Sequence, residues 1–490
     1  MSPLSILLTI ASYFAVLYFI SYLTGRKADN AGFFSGNRKS PWYLVAFGTI
    51  GAAISGVTFV SVPGMVAVSG FSYLQMVLGF AVGQLIIAFV LIPLYYKMNL
   101  ISIYEYLEGR FGTSSYKTGA WFFFVSKMAG ASVRLFVVCV VLQLLVFGPL
   151  HLPFILNVFF TVGIVWLYTF RGGVKSVVWT DSLKTFCLIV SVGLTIYYVG
   201  SNLGLNVKSM WSLIGDSEMS KTFFFDNIND KRYFWKQFLA GVFTTIAING
   251  LDQDMMQKTL SCKNFSDARK NLITGGILQV FVNLLFLTLG VLLYVYVANK
   301  HIDLQAEGIK KPDDVFPFLA MRFSPVVGVL FIVGLISAAY AAAGSALTAL
   351  TTSFTVDILE SSKTKTESEV ASVRKKVHIG MAIVMAAAVF IINLLNNESV
   401  IQTVYKVASY TYGPLLGLFV FGIFTKRKIR DRWVPLVAIA SPMVCLVLDL
   451  NSKAWFKGYE FSHERLIFNA LFTFVGLCLL IRKEKNTIST

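Results

Sequence analysis

Pro41–Gly70 reads PWYLVAFGTIGAAISGVTFVSVPGMVAVSG. It is apolar and long enough to cross a bilayer core of about 30 Å, which takes roughly 20 helical residues. Its middle is unlike a simple anchor. Gly48, Gly51 and Gly56 alternate with Thr49, Ser55 and Thr58, and Pro63-Gly64 follows. Glycine weakens a helix by about 1 kcal/mol relative to alanine. In lipid, a carbonyl released from the helix ladder must find a partner or line a cavity. The stretch therefore predicts a helix that breaks near the midplane, with carbonyls turned to a cation and amides to an anion. The remaining helices are expected to wrap around that break.

The rest of the chain agrees with a membrane setting. Of 490 residues, 56% are hydrophobic, and mean hydropathy is +0.70. A soluble domain of this length has a more polar composition. The net charge of +17 could suggest nucleic acid, but the basic residues lie in short loops between apolar segments, the pattern that orients membrane proteins. Residues 5–24 lack a basic leader and a small-residue cleavage site, so a retained helix is expected. The five cysteines show neither metal nor disulfide spacing.

Thirteen spans are predicted: 5–24, 41–69, 72–96, 118–148, 153–170, 177–199, 235–257, 271–298, 325–355, 376–396, 400–424, 432–450 and 465–482. Basic residues such as Lys97, Arg110, Lys117, Lys258, Lys263 and Lys426-Arg427-Lys428 fall at one set of loops. The opposite loops, 200–234 and 299–324, are longer and mixed in sign. This asymmetry predicts a cell-membrane protein with its N-terminus outside and its C-terminal tail, 483–490, in the cytoplasm.

The segment 235–257 is also interrupted, by Asn249-Gly250-Leu251-Asp252-Gln253-Asp254. Counted from the second span, the two interrupted helices stand five apart. Five-helix units repeated in inverted topology bring their broken first helices face to face. The expected fold is thus an all-α polytopic protein of about 13 helices. One helix (5–24) precedes a first repeat (41–199), a second repeat (235–424) follows, and two peripheral helices (432–482) end the bundle. No residue-level repeat is visible, so the plan rests on hydropathy and break positions.

Charged residues inside apolar spans cost several kcal/mol unless paired or hydrated, so each is a candidate. Asp181 reads as a cation or proton site, or as a salt bridge to Lys184 or Arg171. Arg134 can clamp a carboxylate with two parallel hydrogen bonds, or pair with Asp181 or a carbonyl. Lys127 is expected to snorkel to the membrane edge. Asp252 and Gln253 are substrate-contact candidates, whereas Asp254 is expected to be solvated. In 325–355, small residues either pack helices closely or floor an ion site, with Ser345 and Thr348 on one face. Gly413-Pro414 predicts a kink.

Gly172–Asp181 (GGVKSVVWTD), Asp252-Gln253 with Met256-Gln257-Lys258, Ser353–Asp357 and Tyr412–Phe419 together resemble the sodium:solute symporter family. The resemblance runs from about residue 5 to 480. It implies the leucine-transporter architecture and sodium-driven, alternating-access uptake of a small organic solute, with Na+ as coupling ion. It also implies a main sodium site on the carbonyls of Gly51, Ile54 and Ala338. The family's paired hydroxyls fall on Ala341 and Ala342, a departure that leaves proton-coupled or ion-independent transport as the alternative. A second sodium site would use Asp181 with Ser345, Gly344 replacing a neighbouring serine. Arg134 resembles the carboxylate-holding position of sialic-acid-type members, with Thr58, Tyr73 and Gln75 lining the pocket. A sialic-acid-like or monocarboxylate-like cargo is thereby implied.

Other classes fit less well. A channel needs a repeated filter or charged rings. A sensor needs a signalling domain, for which 483–490 is too short. No nucleophile–base pair or metal motif supports an enzyme.

Overall fold

The computed structural model describes residues 3–26, 29–54, 56–170, 172–309, 311–395, 400–456, 461 and 464–482. Ser55, Arg171 and the tail 483–490 lie outside the described residues. The described chain is helical, with isolated bridges only between Ser40 and Cys262 and between Ile429 and Ile481.

In chain order the principal helices are α1 (Pro3–Gly25), α2 (Trp42–Ala53), α3 (Gly56–Ser69) and α4 (Ser72–Met98). Then come α5 (Thr113–Phe147), α6 (Phe154–Thr169), α7 (Gly173–Asn202), α8 (Phe234–Thr245) and α9 (Gln253–Leu260). The remainder are α10 (Phe265–Asn299), α11 (Pro325–Ile358), α12 (Glu367–Leu395), α13 (Val400–Phe424), α14 (Asp431–Trp455) and α15 (Arg465–Leu479). Among the described residues nine helices are long and apolar enough to cross a membrane, and α2 with α3 makes a tenth. The helices α6 and α15 are shorter apolar helices, and α8–α9 is interrupted. Each of the thirteen predicted segments is mainly helical among the described residues, while length and composition support up to ten crossings.

Both predicted breaks are present. At the first, Ile54 leaves helical geometry (φ −85°, ψ 91°), and α3 departs from α2 at 58°. At the second, a wide turn over Ile246–Gly250 leads to Asp252 in extended conformation. Released carbonyls there are met by side chains: the Tyr95 hydroxyl donates to Gly250 O and that of Tyr104 to Leu251 O, both at 3.0 Å. The Asp252 carboxylate then caps α9, accepting from the amides of Asp254 (2.8 Å) and Met255 (3.4 Å).

The centre of the bundle is α11, in which every residue from Gly334 to Ser353 is buried. A helix apolar on all sides belongs inside, and its alanines and glycines let α2, α3, α5 and α7 approach closely. By contrast, α1 and α14 expose Leu4, Leu8, Phe19, Ile439 and Leu450, as lipid-facing helices do. Across Gly413-Pro414, α13 is one helix with Pro414 inside it. The glycine packs closely, since a Cβ there would lie 2.4 Å from Asn469 Nδ2 on α15.

Candidate functional site

The two breaks meet across a cavity of about 20 Å³. Thr49 and Ile50 of α2 line one side, Asn249 and Met255 the other, with Gln84 of α4 and Asn271 of α10 between. Gln84 Oε1 and Asn271 Oδ1 are buried without a hydrogen-bond partner among the described residues. An unmet buried acceptor costs about 1–3 kcal/mol, so this cavity suits a ligand rich in donors. A second cavity of about 20 Å³ lies behind Ile248, lined by Arg134, Lys127, Ala342, Ala346 and Tyr412. The half-buried guanidinium of Arg134 has no hydrogen bond or ion pair among the described residues. Each cavity has room for about one water, whereas organic ligands occupy several hundred Å³. An organic solute entering either of these two cavities must therefore displace the side chains around it.

Below the break runs a chain of six buried charges. Lys127 Nζ lies 3.2 Å from Asp252 and 2.7 Å from Asp254. Lys258 Nζ lies 3.5 Å from Asp254 and 3.3 Å from Asp181. Lys184 Nζ completes it, 3.2 Å from Asp181. Three carboxylates balance three ammonium groups, and all six residues are at most 7% exposed. The Tyr412 hydroxyl donates to Asp252 and that of Ser345 to Asp254. The chain ties α9 to α5, α7, α11 and α13. Two expectations are corrected: Lys127 does not snorkel, and Asp254 is not solvated. Lys127 turns inward because two carboxylates converge on it.

The other candidate residues are scattered over several settings. Gln75 is bound to backbone, donating to Arg232 O (2.8 Å) and accepting from Phe224 N (3.2 Å), near the loop 200–234. Tyr73 packs edge-on to Phe80, and Thr58 is half-buried in the first turn of α3. Gln253 braces the α4–α5 connection through Ile101 O (2.8 Å) and Ile103 N (3.0 Å). Gly51 abuts α7, where a Cβ would fall 2.1 Å from the Thr185 hydroxyl. Ile54 and Ala338 are buried. The break lies on α11, with the Cβ position of Gly56 3.3 Å from Ala339 Cβ. The Thr348 hydroxyl donates to Gly344 O on its own helix at 3.0 Å. Of the salt-bridge alternatives for Asp181, the Lys184 pair is present. Sequence reading missed Gln84, Asn271 and Lys258 as site residues. Gln84, one of two glutamines in the apolar helix α4, carried the available signal.

The sequence model of the Sodium:solute symporter family matches residues 33–431. The chain belongs to the sodium:solute symporter family. A sodium/sialic acid symporter of Aliivibrio fischeri is 25% identical over 423 residues, 83% of this chain and 80% of that one. Sodium-coupled monocarboxylate transporter 2 of Danio rerio is 25% identical over 411 residues, 82% of this chain and 64% of that one. A solved substrate-bound, outward-open structure of a Na+-coupled sialic acid symporter superposes with a TM-score of 0.82. It is 18% identical and covers 97% of each chain, which shows a shared fold. This symporter is a multi-pass membrane protein and a secondary transporter, not an enzyme. It couples movement of a solute to sodium.

Proposed function

We propose that this symporter takes up a small carboxylated solute, sialic-acid-like or monocarboxylate-like, with its carboxylate on Arg134. The observation that carries this reading is a guanidinium facing a cavity beside a broken helix with no protein partner among the described residues. A guanidinium fork matches a carboxylate with two parallel bonds. The curated relatives, named for sialic acid and monocarboxylates, support the same class. The donor-seeking cavity around Gln84 and Asn271 suits the hydroxyl or amide end of such a solute. Asn249 and Ile248 separate the two cavities, so one solute reaching both must displace the α8–α9 break.

Sodium, as co-substrate, is assigned to the carbonyls of Gly51, Ile54 and Ala338. The last carbonyls of a helix lack intrahelical donors, which supports Gly51 and Ile54 at the end of α2, whereas Ala338 lies inside α11. Ala341 and Ala342 bring no hydroxyl, so the remaining oxygens come from water or cargo. Residues 41–199 and 235–424 are assigned as the two inverted repeats. The basic loops support a cytoplasmic C-terminus and an outer position for loops 200–234 and 299–324.

The test is calorimetric titration of the purified protein with N-acetylneuraminate and with pyruvate, in sodium and in choline buffer. The reading expects sodium-dependent binding of one probe and its loss in Arg134→Ala. Binding that survives this substitution overturns the carboxylate assignment.

A further inference from the structure

Asp181 is surrounded as an ammonium partner is surrounded. Lys184 follows it by three residues on α7, so the two share a face. Its Nζ lies 3.2 Å from Asp181 Oδ1 and 3.3 Å from Tyr340 O of α11. The same Nζ lies 4.2 Å from the centre of the Tyr168 ring, an aromatic face that attracts an ammonium. The other carboxylate oxygen, Oδ2, accepts from Lys258 at 3.3 Å. Both oxygens of Asp181 are thus held by the chain's own cations.

The hydroxyls that could supply a hard cation with oxygens are turned towards other partners. Ser345 donates to Asp254, and Thr348 to its own helix. Gly344 completes the picture from an independent direction. A Cβ at that position would fall 1.8 Å from the Tyr168 hydroxyl, which donates to Tyr340 O. The absent side chain makes room for the tyrosine that caps the ammonium. The three carboxylates and three ammonium groups already balance, so a further buried cation would leave excess positive charge.

We propose that Lys184 is the resident cation of the Asp181 site: its tethered ammonium stands where a mobile cation would bind, and sodium is confined to the broken α2–α3 helix. The tether cannot leave with cargo, so the site is a fixed tie between α7, α9 and α11 and adds no ion to the transport cycle. This inference rests on the sodium reading above only for where sodium does bind.

Equilibrium binding of radioactive sodium to the purified full-length protein tests it. Lys184→Met should add one bound sodium per chain, and Asp181→Asn in the same chain should cancel that gain. The double variant removes opposite charges together, so its fold does not depend on an unpaired carboxylate, and its sodium count should equal the wild type's. A double variant that binds one sodium fewer than wild type overturns the proposal, as does a folded Lys184→Met protein with no gain. A wild type that binds no sodium would fail the assignment at Gly51, Ile54 and Ala338, yet a gain in Lys184→Met would still support a resident lysine.

Discussion

Arg134 and Lys127 lie seven residues apart on α5, yet they hold opposite situations. Lys127 is neutralised by Asp252 and Asp254, while Arg134 faces a cavity. Hydrogen bonds to a charged group contribute about 1.5–3 kcal/mol each, so losing the bidentate clamp removes at least about 3 kcal/mol. Arg134→Ala should weaken carboxylate binding more than about 100-fold. Arg134→Lys should recover part of it, because a point charge lacks the fork. Titration calorimetry separates the two. Lys127→Met should instead act on stability. It leaves two buried carboxylates with one cation fewer, and breaking such a pair costs about 3–5 kcal/mol. A thermal unfolding midpoint equal to wild type would contradict the pairing. Arg134 was legible in the sequence because charge in an apolar span is conspicuous. The role of Lys127 was not, since position along an axis does not reveal partners 125 and 127 residues away.

At the level of helices, the breaks were legible and their locks were not. Glycines clustered in Pro41–Gly70 and polar residues after Ile248 marked where the backbone leaves the helix. Nothing local announced that the Tyr95 and Tyr104 hydroxyls would meet the carbonyls of Gly250 and Leu251, because those tyrosines belong to another element. Gly344 shows the same limit: the sequence presents a missing serine, and the structure presents Tyr168 in its place. Gly344→Ser alone should lower the unfolding temperature, and Tyr168→Phe, by removing the hydroxyl in contact, should restore part of the loss. If the pair is no better than the single variant, that packing account is wrong. On the opposite face the short turn Pro312–Asp314 rests on α3, where Asp313 meets the Ser61 side chain. Burial raises the Asp313 carboxyl above its ordinary range. The neutral form therefore favours the docked loop. That contribution is fully present below the ordinary carboxylate value and is lost as pH rises through the raised one. Amide exchange over residues 311–316, corrected for intrinsic rates, should show greater protection in mild acid than at neutral pH. Equal protection would contradict it.

As a whole, the molecule is cross-braced by its six buried charges. The two cavities beside the break hold about one water each, so an organic acid bound there must displace the α8–α9 break, while the six charges tie α9 to α5, α7, α11 and α13. Hydropathy made the architecture readable, because lipid admits few backbone solutions. The choice of cargo was not readable, because the proposed site draws side chains from α4, α5, α10 and the turn Ile246–Gly250, which only the fold brings together.

The central claim is that cargo and sodium bind together where the two broken helices meet. It is tested most directly by uptake of labelled carboxylate probes into proteoliposomes under an imposed sodium gradient, for the wild type and Arg134→Ala side by side. The account predicts accumulation above the external concentration that collapses when sodium is equalised and is absent in the variant. Accumulation that ignores the sodium gradient, or that the variant retains, would contradict it.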